Sequence, residues 1–222
     1  MATTEFAPPN GLRPWQGAVL LNEQIDTTSV SAWFSDQIAQ EYLVLEGTDP
    51  QVLRGGPKLA QAPLAARERL ESLFEGDGEM VLGTYHPRLA TLWSQINAEQ
   101  REAIGESGWW TKHPPGTTPS FPAGLVMAVV AIGAATGFAV WKGLASSVLV
   151  ALGLALVIPA VMVAASYSRL LPVRSAAGTA VALRTESFRR FLEASEGKHV
   201  DWAWSHGLLR EYAAWAVALG AA

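Results

Sequence analysis

AGLVMAVVAIGAATGFAVW (residues 123–141) and LASSVLVALGLALVIPAVMVAA (residues 144–165) decide how the rest of this chain is read. Neither stretch contains an ionisable residue. At 1.5 Å per helical residue each would reach roughly 30 Å, the thickness of a bilayer's hydrocarbon core. Only Lys142 and Gly143 interrupt them. A lysine at the bilayer centre would cost at least about 2.5 kcal/mol, whereas in a turn at the far surface its ammonium reaches water. Trp141 beside it suits the interfacial aromatic belt. The pattern predicts a tight transmembrane helical hairpin turning at Trp141 and Lys142, with both flanking regions on one side. Arg169, Arg174 and Arg184 after the block and Lys112 before it, against Lys142 alone at the turn, place both termini in the cytoplasm by the positive-inside rule.

Small residues recur at every fourth position. Gly133 and Gly137 form a GxxxG, and Gly143, Ser147, Ala151 and Ala155 form a longer ridge. Such ridges let helices approach closely in lipid, and are expected either to join the two helices of one hairpin or to mediate self-association. Pro159 is expected to kink the second helix. The only polar side chains on these spans are Thr136, Ser146 and Ser147, which argues against a transport pathway.

Away from this block the composition is that of globular protein. The chain has 222 residues, a mean hydropathy of +0.18 and 16 % charged residues. It has no cysteine, so disulfides, thiolate metal sites and a cysteine nucleophile are excluded. Its net charge of −4 is unevenly spread: residues 1–120 hold 8 basic and 15 acidic groups, residues 166–222 hold 7 and 5. An acidic N-terminal region repels phosphate backbones, so nucleic acid is not an expected partner. The opening residues, MATTEFAPPNGLRP, lack the apolar core of a signal peptide.

Four segments follow from this: an α+β domain over 1–110, a proline-rich linker over 111–122, the hairpin over 123–165 and a helical segment over 166–222. In the first, Val30, Trp33, Phe34 and Ile38 mark a helix from Ser29 to Gln40, followed by a strand Tyr42–Leu45, a turn at Gly47, Asp49 and Pro50, and a strand Gln51–Arg54. Helices are expected from Leu64 and over His86–Gly105. Helix, strand, turn, strand is a winged-helix-like order. Its supposed recognition helix offers Ser31, Asp36, Gln37, Gln40 and Glu41 and no cation, so a protein-contact module fits better than a DNA reader. In the last segment, Ser175–Ser195 reads as a helix with Phe188, Phe191 and Leu192 on one side and Arg184, Arg189 and Arg190 near the other. That helix could rest on anionic lipid or pack on the N-terminal domain. Leu208–Ala222 is expected to form a further helix, with the chain expected to stop inside its pattern without a cap.

No phosphate-binding, dinucleotide-binding, nucleophile-elbow or zinc-protease motif is present. Glu196 and His199 have di-metal spacing, but Gly197 breaks the helix the spacing requires, and no second pair accompanies them. His86, His113 and His206 share no carboxylate cluster. No catalytic residue, cofactor or metal is therefore expected.

Two stretches resemble a known family. EFAPPNGLRPWQGAVL with VSAWFSDQIAQEYLVLE is similar to the opening of the cytoplasmic part of domain-of-unknown-function family 2207, predicted bacterial membrane proteins. SAAGTAVALRTESFRRFLEAS with LLREYAAWAVALG is similar to that family's ending, the match being carried by Gly178, Phe188, Arg189, Phe191, Leu192, Tyr212, Ala216, Ala218, Leu219 and Gly220. The resemblance implies a bacterial inner-membrane protein and brings no activity with it. Members typically add a signal sequence, an extracytoplasmic β-rich domain and one more span, so this chain resembles only the cytoplasm-plus-hairpin half, as a fragment or a short relative. Gln40-Glu41-Tyr42 stands where the family usually has Arg-Gly-Tyr, and Ala213-Ala214-Trp215 where it usually has Leu-Pro-Tyr. The function expected is a membrane-anchored structural or protein-interaction module, with the bilayer and either another protein or a second copy as partners. The alternative is a membrane-associated enzyme with a site between the cytoplasmic segments.

Overall fold

A computed structural model of the chain describes residues 7–74, 78–116, 134, 137–138, 140–143, 172–194, 203 and 205–221. It divides into two units, Met1–Gly116 with Arg174–Ala222, and Thr117–Val173.

The first unit starts with α1 (Pro14–Asn22) and α2 (Thr27–Ala39). Pro14 opens α1 at a position where its missing N–H is not needed. Asp26 caps α2 by accepting from the Ser29 amide at 3.1 Å, while the Asp26 amide donates to Ser29 Oγ at 3.2 Å. An antiparallel sheet follows, in the order β1 (Leu43–Glu46), β2 (Val52–Gly55), β3 (Glu79–Val81). Leu45 lies opposite Leu53, and Leu53 opposite Met80. α3 (Leu64–Leu73) links β2 to β3, and α4 (Pro87–Glu106) follows the sheet. Beyond the apolar block the unit resumes with α5 (Ala176–Ala194) and α6 (Leu209–Leu219).

The core is built from both parts of the sequence. Val19 and Val30 from α1 and α2 share a buried cluster with Phe188 from α5 and Trp215 from α6. Phe188 meets Trp215 edge to face at 5.7 Å and Tyr212 at 5.6 Å, and such pairs are each worth about 0.5–1.5 kcal/mol beyond area burial. The amphipathic α5 therefore packs its apolar side against protein: Phe188 and Phe191 are buried, and Arg190 stays on the surface. Two glycines permit close approaches between the two parts of the sequence. A Cβ on Gly17 would sit 2.4 Å from the Trp215 ring, and one on Gly178 would sit 2.1 Å from the Trp109 carbonyl oxygen. A buried polar pair ties α2 to α4: Gln100 Nε2 donates to the Ser29 carbonyl at 3.1 Å, and Ser29 Oγ donates to Gln100 Oε1 at 2.8 Å.

The expected fold class, a mostly α protein with a two-helix transmembrane hairpin between a winged-helix-like domain and a separate helical segment, is corrected by these observations. The described architecture is mixed α/β. Among the described residues no helix is long and apolar enough to cross a membrane. The proposed spans 123–141 and 144–165 lie outside the described residues except at 134, 137–138 and 140–141. The helix–strand–turn–strand order does occur, but α2 is no free recognition helix: its buried residues pack between α1 and α6. The physical reason is that neither α1–α2 nor α5–α6 can cover its own apolar face, and each supplies the other's missing layer.

The described part of the second unit is short. Phe138, Val140 and Trp141 are helical, and the Lys142 and Gly143 amides close the turn by donating to Phe138 and Val140 carbonyls, both at 3.0 Å. Gly143 takes a left-handed φ of 66°. The Lys142 ammonium lies 4.9 Å from the Trp141 ring centroid, and Trp141 is 76 % exposed.

Candidate functional site

Two helices of the first unit are followed by glutamates in the left-handed backbone region, and each holds an arginine from the far side of the apolar block. Glu23, at φ 56°, ends α1 and accepts from Arg174 Nη2 at 3.0 Å. The same guanidinium donates to the Leu20 carbonyl and lies 5.7 Å from the Trp110 ring centroid. Arg174 belongs to β5 (Val173–Arg174), which pairs with β4 (Trp110–Lys112). The Ser175 amide then donates to the Trp109 carbonyl at 2.8 Å, and Ser175 Oγ to the Gly108 carbonyl at 2.9 Å. These bonds clasp the chain leaving the first unit to the chain returning to it.

Glu41, at φ 62°, lies just beyond α2 and is the second such glutamate. It takes Lys58 Nζ at 2.7 Å and also pairs with Arg210 of α6. Hydrogen bonding from Lys58 is the main reason its carboxyl is held below the usual range. The family resemblance puts glycine at this position, which is what a left-handed backbone favours. Gly56 lies against the same turn, where a Cβ would come within 2.2 Å of the Glu41 carbonyl oxygen.

Beside Glu41 opens a groove of about 430 Å³. Its walls are Leu43, Val44 and Leu45 of β1 on one side and Ala213, Ala214 and Val217 of α6 on the other, with Ile38 of α2 between. Leu45 and Val217 are 40 % and 41 % exposed, unusual for side chains of this kind lining one hollow. Ala213 and Ala214, which stand where the family motif usually has Leu and Pro, leave the α6 wall thin. The titratable groups lining the groove are Glu41 and Arg210, which form an ion pair.

A smaller cavity of about 290 Å³ lies between Leu73, Phe74, Glu79, Met80, His86, Pro87 and Arg88. His86 caps α4, and its Nε2 lies 3.0 Å from the Val81 carbonyl and 3.1 Å from Thr84 Oγ1, so the ring serves to tie down the loop after β3.

A family model describing the "predicted membrane protein (DUF2207) C-terminal domain" matches residues 3–222. The chain belongs to this family. No curated protein and no solved structure matches it. The resemblance read from the two sequence motifs is therefore correct. DUF2207 proteins are predicted membrane proteins of unknown function, so the family supports membrane association and assigns no chemistry.

The residues singled out from sequence fall unevenly on this DUF2207 domain. Gly137 is helical and Gly143 lies in the turn, both exposed, and a Cβ on either meets no described atom within 4 Å. Trp141 ends the described helix and Lys142 follows it. Gly133, Ser147, Ala151 and Ala155 lie outside the described residues, as do Glu196 and His199. Among the described residues no group of His, Asp and Glu could hold a metal ion. The groove and the Glu41–Arg210 pair were not visible to sequence reasoning, although the departure from Arg-Gly-Tyr at position 41 was a signal.

Proposed function

We propose that this protein is a membrane-associated interaction module of the bacterial inner membrane, whose first unit lies on the cytoplasmic side and contacts a partner protein through the α2–β1–α6 groove. One observation carries the reading: the groove is apolar, open and lined by large side chains left partly exposed, and its two lining charges sit together at one end as an ion pair. A binder needs such a surface. The enzyme alternative would need several titratable groups converging on one hollow, and the groove is lined by a single ion pair.

Membrane association rests on the family and on the apolar composition of residues 123–165. Sidedness rests on the clasp. Residues before and after the apolar block share one core, so if the block enters lipid, the chain returns to the face it left. The cations flanking the block, Lys112, Arg169, Arg174 and Arg184, favour the cytoplasmic face.

The absence of cysteine makes the test direct. Glu68→Cys and Ala194→Cys, both at exposed positions on opposite sides of the block, should fractionate with membranes and resist an impermeant maleimide in intact spheroplasts. Both should label once the membrane is opened. Labelling of one but not the other in intact cells refutes the shared face, and release of the protein by high salt alone refutes the lipid anchor. Photo-crosslinking from position 217 in native membranes, followed by identification of the adduct, tests the partner.

A further inference from the structure

The groove has a direction that its composition alone does not reveal. Among the described residues β1 has β2 as its one strand neighbour. The Gly56 amide donates to the Tyr42 carbonyl at 2.8 Å, which fixes the phase of the ladder. Main-chain groups alternate between the two edges of a strand. Tyr42, Val44 and Glu46 therefore turn theirs to β2, and Leu43 and Leu45 turn theirs to the open edge. Three consecutive residues, Leu43 to Leu45, line the groove. Consecutive side chains point to opposite faces of a strand, so a hollow touching all three runs along the edge and not over one face.

Charge sets which end is which. One carboxylate, Glu41, is shared by two cations, Lys58 and Arg210, at the end of the groove where β1 begins. This leaves a positive charge in excess at that end. The side chain of Arg210 is 65 % exposed, so its guanidinium can turn to a second carboxylate without unfolding anything. Two copies of the same hollow do not fill each other, so the occupant must be narrow and must bring its own donors and acceptors.

We propose that the open edge of β1 and the groove beside it bind an extended peptide segment of a partner protein, apolar at alternate positions and carrying a carboxylate at the Arg210–Lys58 end. The segment adds a strand beside β1, hydrogen-bonding the main chain of Leu43 and Leu45, and seats alternate side chains between β1 and Val217. Four residues of β1 offer about 13 Å of edge, enough for a peptide of about four or five residues.

This inference rests on the interaction-module reading, and its test is separate from the fractionation and crosslinking above. A library of random eight-residue peptides is selected on the full chain in lipid nanodiscs, and amide exchange at Leu45 is measured with the selected pool. The enriched peptides should carry apolar residues at alternate positions with Asp or Glu toward one end, and should slow exchange at the Leu45 amide at least about tenfold. Val217→Asp should abolish enrichment while leaving the exchange of core amides in α2 unchanged. Arg210→Ala should weaken the acidic peptides about tenfold and erase the preference for acid without disturbing the alternation. A helical i, i+3, i+4 pattern, enrichment that survives Val217→Asp, or an unpatterned pool would each overturn the proposal. So would Leu45 protection that rises with protein concentration in the absence of peptide, which would identify a second copy as the occupant. Membrane retention with crosslinks at position 217 but no strand-forming peptide would sink this inference and leave the broader reading standing.

Discussion

Gly178→Ala exchanges one hydrogen for a methyl at the point where α5 crosses the chain leaving the first unit. The new Cβ would lie 2.1 Å from the Trp109 carbonyl oxygen, 2.9 Å from its carbonyl carbon and 3.0 Å from its Cα. All three are backbone atoms, so no rotamer change relieves the clash, and the helix must move away from the 108–110 segment. Overpacking of this kind costs about 1–3 kcal/mol. Movement also stretches the Ser175–Trp109 and Ser175–Gly108 hydrogen bonds, worth about 0.5–1.5 kcal/mol each. Against this, alanine is a better helix former than glycine by about 1 kcal/mol. The net expectation is a loss of about 1–3 kcal/mol. Gly105→Ala is the internal control: it is the same chemical change in a helix, at an exposed site where a Cβ meets nothing within 4 Å. It should be neutral or stabilising by up to about 1 kcal/mol. Urea unfolding of the full chain in detergent, followed by tryptophan fluorescence, measures both. Gly178→Ala as stable as the parent would refute the close crossing of α5 over Trp109, and with it the clasp between the chain before and the chain after the apolar block.

Other substitutions test other joints. At the left-handed position 41, Glu41→Ala loses the ion pairs and keeps the strain, while Glu41→Gly loses the pairs and relieves it, so the glycine variant should be more stable than the alanine variant by about 1–2 kcal/mol in the same urea assay. Gln100→Ala removes both buried hydrogen bonds between α2 and α4, leaving Ser29 Oγ its Asp26 partners, and at about 0.5–1.5 kcal/mol for each bond should cost about 1–3 kcal/mol. Hydrogen bonding to Arg189, then to Arg190, holds the Glu186 carboxyl down at about 2. A lowered folded value means that the associated stability is present above the ordinary glutamate range and is lost as pH falls from about 4.5 toward about 2. Glu186→Gln should flatten the acid limb of a thermal-melting pH series over that window, by less than about 1 kcal/mol because the group is solvated. Asp36 runs the other way: burial first of all raises its carboxyl, opposed by Arg13, so its contribution is most favourable below the ordinary aspartate range and declines as pH rises through the raised value. Asp36→Asn should therefore raise the melting temperature at neutral pH relative to the parent more than it does at pH 3.

Local periodicity was legible in the sequence where an element is long and one-sided. α2 through α6 each fall within a few residues of where apolar spacing put them, because 10 to 20 residues give a helical stripe time to declare itself. α1 was not legible: PWQGAVLLN is nine residues, contains a glycine and is buried on nearly every side, so it has no stripe. β3, β4 and β5 are three, three and two residues long, too short for an alternation to exist. The deeper miss concerns assembly. The pairs that define the site, Glu41 with Arg210 and Glu23 with Arg174, are separated by more than a hundred residues and by the whole apolar block. Nothing local in α5 distinguishes a basic amphipathic helix lying on lipid from one whose phenylalanines sit in a protein core, since both need the same stripe. What separates them is the presence of a complementary face elsewhere, and α1–α2 provides it. The same logic explains the unusual glutamate at position 41. Read alone it is an odd residue in a tight turn; beside Lys58 and Arg210 it trades the backbone ease of glycine for a link between the two halves of the sequence. A link of that kind, at the mouth of an open strand edge, joins the assembly of the unit to the surface on which a partner would be read.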